Sequence, residues 1–392
     1  MATITVNSDG GADHTTIQDA VSAASANDEI QILNSATYQP VRVFINKNLN
    51  FTVASGQTPI IDGTAADAGN RPTFDDQAAA CVLTFTGFTF QNFGASNSTN
   101  KIADLGGVIT LQYNQCTFKD IDISIFHAPP VASSGVPHKL DRCEILRTST
   151  KKLFESAPGG DWHFLIQNSV FHYTGTHSGE VYIDAGNNNH VNGIVRNCSL
   201  LVEVNSSTDA SNGVVRCGTI ENTIIKNAAT SGGNAALALK AKSGYSNNCI
   251  FGNFDTGEAS TGASTTGLVT SDPLFVNQGA APPNLRLEPN SPCVDTGKTI
   301  AAVTVDFDGV ARPQGANYDI GAFELAIWSD EPGNDPFERK FGSNGFEIRS
   351  IKNKLRTRKF RVALNNRQAP FSLTLPGPPS IRGATTSYKT EE

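Results

Sequence analysis

The chain has 392 residues, of which 39% are hydrophobic, only 17% are charged and 35 are glycine. That is enough apolar material for a core and too little charge for a typical helical bundle, so a turn-rich β protein is expected. The net charge of −7 is uneven: residues 326–392 carry 12 Lys+Arg against 7 Asp+Glu, a local +5, which leaves 18 − 30 = −12 for residues 1–325. With seven cysteines, an odd number without a CxxC pair, no disulfide framework is expected, and synthesis in a reducing compartment is favoured.

At the N-terminus, "MATITVNSDGG" has neither a basic start nor an apolar run of leader length. No later stretch approaches the roughly 18 apolar residues of a membrane span, so neither a signal peptide nor a membrane segment is expected. The next stretch, "ADHTTIQDAVSAASANDEIQIL" (12–33), predicts a short helix followed by a strand. Thr16 with Asp19 forms a capping-box pattern, and Ile17, Ala20, Val21 and Ala24 make one apolar stripe suited to closing the end of a core. Residues 1–30 are therefore read as a cap with its first strand.

A recurring phrase follows. It reads "NQCTFKD" (114–120), "DRCEILR" (141–147), "QNSVFHY" (167–173), "RNCSLLV" (196–202), "ENTIIKN" (221–227) and "NNCIFGN" (247–253). Aligned on Phe90, Phe118, Ile145, Phe171, Leu200, Ile225 and Phe251, it repeats in steps of 25–29 residues. Two positions upstream of these stand Phe88, Cys116, Cys143, Ser169, Cys198, Thr223 and Cys249. Residues two apart in a strand share a face, so each pair is expected to point inward while the residue between them faces out. Polar residues, often Asn, mark a bend before each copy. A coil of this length holding several short strands is too short for a crossover helix and fits one turn of a parallel β-helix, here over residues 31–325.

On this reading the recurrent cysteines are a core file. Stacked coils set equivalent side chains one strand spacing apart instead of converging them on a metal, and a buried thiol packs as a small hydrophobe. Cys116, Cys143, Cys198 and Cys249 should lie buried and unbridged in adjacent layers, interrupted by Ser169 and Thr223. Neither a metal nor any other cofactor is expected. "DFDG" (306–309) has the start of a calcium loop, but no regular ligand series continues, so a turn is expected there.

One cluster has enzyme-like chemistry: Asp161, His163, His172, Glu180 and Asp184. Its carboxylates could serve as acid and base in glycoside hydrolysis, with Trp162 stacking on a sugar ring. Solvated side chains on a β-helix flank are the simpler interpretation. The tail, residues 326–392, begins with linker-like "WSDEPGNDPF" and becomes basic at Lys352, Lys354, Arg356, Arg358, Lys359 and Arg361. Phe360, Val362 and Leu364 alternate with Arg361 and Ala363, which suits an extended arm docking on an acidic protein surface better than binding nucleic acid.

The repeat resembles the right-handed parallel β-helix of the pectate-lyase-like superfamily over roughly residues 2–325. "SDPLFVN" (271–277), "NLRLEPNSPCVDTGK" (284–298) and "DFDGVARPQGANYDIGAFE" (306–324) resemble the closing segment of many bacterial and phage β-helix proteins. The resemblance implies an all-β solenoid and raises a polysaccharide lyase or glycoside hydrolase as an activity. Against that activity, "GHG" is absent, and "EVYIDAGNNNH" (180–190) is similar to the lyase "WIDH" phrase without its Trp or adjacent His. A β-helix without a leader, followed by a basic arm, implies a phage virion structural protein. A head-surface decoration protein anchored through residues 326–392 to the major capsid protein or another virion protein is expected first, and a tail-associated spike or depolymerase second. Such proteins are often homotrimers, and contact with host surface polysaccharide is part of the expectation.

Overall fold

The computed structural model describes residues 1–39, 43–65, 73–76, 81–93, 102–104, 109–121, 125–128, 136–147, 154–156, 163–174, 183–184, 193–203, 213–228, 235–252, 254–258, 266–325, 337–342 and 345–350. The chain divides into two compact units, residues 1–327 and 328–392.

The first unit is the parallel β-solenoid that the repeat implies. Two long sheets run its length, and nearly every strand pairs in parallel with its counterpart one coil away. The first sheet contains Thr3–Val6, Glu29–Ile32, Leu49–Val53, Cys81–Thr86, Ile109–Asn114, His138–Asp141, Phe164–Gln167, Gly193–Arg196 and the long strands Gly213–Glu221 and Ala235–Ser246. Among the described residues the second stacks nine strands, from Thr37–Tyr38 through Thr117–Lys119, Glu144–Arg147, Val170–Thr174, Ser199–Glu203 and Ile224–Asn227 to Cys249–Gly252. A shorter third sheet pairs Val43–Ile45, Phe74–Asp76 and Ala103–Asp104.

A two-residue corner joins the first sheet to the second, and the sequence shows why it recurs. Its first residue is left-handed in successive coils: Gly87, Gln115, Arg142, Asn168, Asn197, Asn222 and Asn247, with φ between 47° and 86°. Gly and Asn tolerate that conformation best, hence the Asn preceding so many copies of the phrase. The corner amide does not break the ladder. It donates to the next coil, as in Gln115 N–H to Asp141 O at 2.9 Å and Asn197 N–H to Glu221 O at 3.0 Å.

The second corner residue is the slot in which cysteine recurs. Cys116, Cys143, Ser169, Cys198 and Thr223 are all buried, and each side chain donates to the carbonyl two residues earlier. The distances are 2.8 Å from Ser169 to Gln167, 2.9 Å from Thr223 to Glu221 and 3.2 Å from Cys198 to Arg196. Thiol and hydroxyl are interchangeable here because the site asks for a small side chain with one donor aimed back across the corner. All seven cysteines are buried, and none is in a disulfide.

The final coil departs from the expected register. Cys249 pairs with Ile224, and Ile250, not Phe251, continues the inward column after Ile225. Two asparagines occupy this corner: Asn247 takes the left-handed position, so Asn248 falls in the slot. The Asn248 amide is satisfied there, accepting from Thr223 N–H at 2.9 Å and donating to Ile220 O at 3.0 Å. The strand therefore begins one residue early, and Cys249 points outward while Phe251 is half-buried beside the Lys226 ammonium, 5.4 Å from its ring.

Inside, equivalent residues form columns. Phe51, Phe85, Tyr113, Leu140, Ile166, Val195, Ile220 and Tyr245 line the first sheet, and Ile61, Phe90, Phe118, Ile145, Phe171, Leu200, Ile225 and Ile250 the second. Near the N-terminus the columns are aromatic, with Phe51–Phe85 stacked at 4.7 Å and Phe90–Phe118 at 5.3 Å. Each such ring contributes about 1.5–3 kcal/mol by leaving water, so the columns drive the stacking of coils.

The N-terminal end is closed by the helix Ile17–Ala23, which buries Ile17, Ala20 and Val21. Thr16 Oγ1 accepts from Asp19 N–H at 3.1 Å, the N-cap bond of the expected capping box, and donates to Asp19 Oδ2 at 2.7 Å. Along the outer edge of Thr3–Val6, Asn7 N–H donates to His14 O and His14 N–H to Thr5 O, which blocks further strand addition.

Residues 266–325 do more than end the fold. They return along the outside of the second sheet as a strap, burying its outward face in the later coils. Val170, Leu201, Ile224 and Cys249 from the solenoid pack with Phe275, Leu285, Leu287, Cys293, Ile320, Ala322 and Phe323 from the strap. Gly321 (φ 110°) is required at the closest approach, since a Cβ would lie 2.8 Å from both Ile224 Cδ1 and Ser199 Oγ.

Among the described residues of the second unit, Phe337–Gly342 and Gly345–Ser350 form an antiparallel hairpin, with Phe341 opposite Phe346. The basic run Lys352, Lys354, Arg356, Arg358, Lys359, Phe360 and Arg361 lies outside the described residues.

Candidate functional site

Of the enzyme-like cluster, Asp161, Trp162 and Glu180 lie outside the described residues. His163 immediately precedes the first-sheet strand Phe164–Gln167 and is partly exposed. His172 is an outward residue of the second sheet, between Leu146 and Leu201 in register. The corner at Asn168 separates the two histidines, which therefore sit on different sheets. Burial holds the His172 imidazole below its usual range against the pull of Glu203. The backbone of Asp184 pairs with Arg216, at the start of the long strand Gly213–Glu221.

The densest polar constellation is one that the sequence reading passed over. The residue just before each corner faces out from the first sheet, and in consecutive coils these are Asn114, Asp141, Gln167, Arg196, Glu221 and Ser246, directly in register. Lys139 Nζ lies 2.8 Å from Asp141 Oδ2, which also accepts from Gln167 Nε2 at 2.9 Å. Gln167 Oε1 in turn accepts from Arg196 Nε at 3.1 Å and Nη2 at 2.7 Å. Lys298, from the strap, completes the row with an ion pair to Glu221. Burial lowers the Arg196 guanidinium below its usual range, against the opposing pull of Glu221 and Asp141.

This row has charge and partial burial but not the geometry of acid–base catalysis. Asp141 and Glu221 are three strands apart, about 14 Å at the usual strand spacing, beyond the roughly 5–9.5 Å of a glycosidase pair. Each carboxylate is also engaged by a neighbouring cation. The signal for the row was present in the phrases themselves, where "DRC", "QNS", "RNC" and "ENT" place a charged or amide residue before each corner.

A second polar centre lies within the strap and is fully enclosed. Arg312 pairs with Glu324 at 2.5 Å, both side chains at 0% exposure, and Arg312 Nη2 donates to Gly321 O at 2.8 Å. Glu324 also accepts from the backbone of Asp319 and Gln314, while Asp319 accepts from Asp295 N–H at 2.8 Å and Leu325 N–H at 2.6 Å. Burial pushes Glu324 up to about 7, opposed by Arg312. "DFDG" is the expected turn: Asp306 Oδ1 accepts from Val310 N–H at 2.7 Å, and Asp308 pairs with Arg286. Among the described residues, no group of three or more His, Cys, Asp and Glu side chains is placed to hold a metal ion, and no helix is long and apolar enough to cross a membrane.

No protein-family model matches the chain, and no curated protein matches it. Among solved structures, a pectin methylesterase from carrot is similar over 68% of this chain and 88% of its own, at 14% identity and a TM-score of 0.32. A pectate lyase is similar over 83% of this chain and 96% of its own, at 10% identity and a TM-score of 0.31. The strand order and register of the chain itself establish the parallel β-helix, the fold that the resemblance to the pectate-lyase-like superfamily implied.

Proposed function

We propose that the chain is a structural protein of a phage particle, a head-surface β-helix attached through residues 326–392. The observation that carries this reading is the condition of the solenoid's outer polar side chains. Asp141, Gln167, Arg196, Glu221 and Lys298 are engaged with one another along the first sheet, as a rigid display body requires and a reacting site does not. The charge division supports it: a body of −12 would not compete for the acidic protein surface that suits a +5 arm. On this reading the partner is the major capsid protein or another virion protein, the assembly is a homotrimer, and any contact with host polysaccharide occurs without turnover.

Co-sedimentation with phage particles tests the proposal. The intact chain should pellet with particles or empty capsids, and a chain ending at residue 325 should remain folded and stay in the supernatant. Particle binding by the truncated chain would remove the anchor. Release of reducing ends or unsaturated sugars, abolished by Asp161→Ala or Glu180→Ala, would replace the proposal with a depolymerase.

A further inference from the structure

The strap and the solenoid each bring one thiol to their shared interface. Cys249 begins the last described second-sheet strand and, through the one-residue shift described above, points out of the coil. Cys293 lies in the strap, held by Ile320 N–H to its carbonyl at 2.9 Å and by its own N–H to Ser291 Oγ at 3.1 Å. Both residues are at 0% exposure in the same apolar cluster: Cys249 lies beside Ile224 in register, and Cys293 is bonded to Ile320, whose neighbour Gly321 packs on Ile224. The neighbouring Cys293 thiol, together with burial, raises the Cys249 thiol far above its usual range, so Cys249 is unreactive while the strap is closed.

We infer that Cys249 and Cys293 are a redox-modification site, closing as a reversible disulfide that locks the strap onto the solenoid. The oxidant is a small-molecule disulfide. When the strap lifts, one cysteine thiolate attacks the small disulfide, forming a mixed disulfide and releasing one small thiolate. The other cysteine then attacks the protein sulfur of the mixed disulfide and releases the second. The protein loses two protons and two electrons, and the small disulfide becomes two thiols. Because the bond would close the strap's own loop, it constrains the state in which the strap is detached.

A built-in comparison comes from Cys116 and Cys143, which occupy the same buried slot in adjacent coils of the solenoid interior. Their exposure would require the solenoid to open. Exposure of Cys249 and Cys293 requires only the strap to move, so exchange should select the strap pair.

The full-length chain is incubated with oxidised glutathione, then analysed by free-thiol count and peptide mapping without reductant. The expected result is loss of two of the seven thiols, a peptide linking Cys249 to Cys293, and a thermal midpoint higher by a few degrees that reductant reverses. Cys293→Ala and Cys249→Ser should each abolish the linked peptide and the rise. Gly321→Ala, which lifts the strap at its closest contact, should speed linkage several-fold. Seven persisting thiols, a Cys116–Cys143 link, a link between chains, or an unchanged midpoint in the cross-linked protein would overturn the inference. The inference is independent of the proposed role in a particle.

Discussion

Asn222 and Lys298 exchange two hydrogen bonds across 76 residues of sequence: Asn222 Nδ2 donates to Lys298 O at 2.7 Å, and Asn222 Oδ1 accepts from Lys298 N–H at 2.8 Å. The same asparagine holds the left-handed corner between the two long sheets, with φ 47°. One side chain thus turns a coil and tethers the strap. Asn222→Ala loses both bonds and strains the corner, and should cost about 3 kcal/mol. Asn222→Gly keeps the corner and should cost about 2 kcal/mol. Denaturant melts give the totals, and faster proteolysis within residues 266–325 should accompany both variants.

Arg312 and Glu324 form an enclosed pair whose loss should be local and severe. Arg312→Ala leaves the Glu324 carboxylate buried without its cation, a change of about 3–5 kcal/mol. Arg312→Met with Glu324→Leu removes both charges and should recover much of that loss. A double-mutant cycle measured by thermal unfolding checks it; additivity of the two single changes would contradict a coupled pair.

His138 faces the core at 2% exposure, its Nδ1 accepting from Leu111 N–H at 3.2 Å. Burial, reinforced by His163, lowers its pKa from 6.5 to about 4. The folded protein therefore keeps the ring neutral where the unfolded chain would protonate it. Stability from this residue is complete above pH 6.5 and is lost as pH falls towards 4, by up to about 3 kcal/mol. His138→Gln retains an acceptor and cannot titrate, so its stability between pH 6.5 and 4 should fall less steeply. Urea melts across that range give the difference in slope.

Tyr113 stacks between coils, and its buried hydroxyl has no hydrogen-bond partner among the described residues. Tyr113→Phe retains the ring and removes the unpaired group, so it should stabilise the fold by about 1 kcal/mol. A lower thermal midpoint for this variant would mean that the hydroxyl is satisfied.

Cys198 sits in the slot that Ser169 and Thr223 fill in neighbouring coils. Cys198→Ser should stay within about 1 kcal/mol of the parent protein, because serine can make the same bond to the residue 196 carbonyl. Cys198→Leu overfills the site and should cost about 1–3 kcal/mol. Equal losses for the two variants would show that the slot is not selecting for a small donor.

The repeat was legible because its physical causes are local. A period of 25–29 residues, alternation within each short strand and a residue able to turn left-handed at each corner are all written in consecutive positions. The capping helix was legible for the same reason, since Thr16, Asp19 and the stripe from Ile17 to Ala24 lie within one short segment. The register of the last coil was less so. "NNC" offers two asparagines for one corner, and only the pairing of Ile224 with Cys249 decides which of them turns.

The candidate site was legible only in its ingredients. His163 and His172 are nine residues apart in sequence yet belong to different sheets, because the corner at Asn168 redirects the chain between them. Conversely, Asp141, Gln167, Arg196 and Glu221 are spread over 80 residues and become neighbours by stacking.

The sequence by itself therefore determined the coil, its corners and its inward columns, since hydrophobic alternation and backbone preference act over a few residues. Only the tertiary structure decided that residues 266–325 return over the second sheet, that Lys298 reaches Asn222 and Glu221, and that Cys293 joins Cys249 in one apolar cluster. Those contacts depend on which outward face a returning segment can cover and desolvate, which requires the positions of several coils at once.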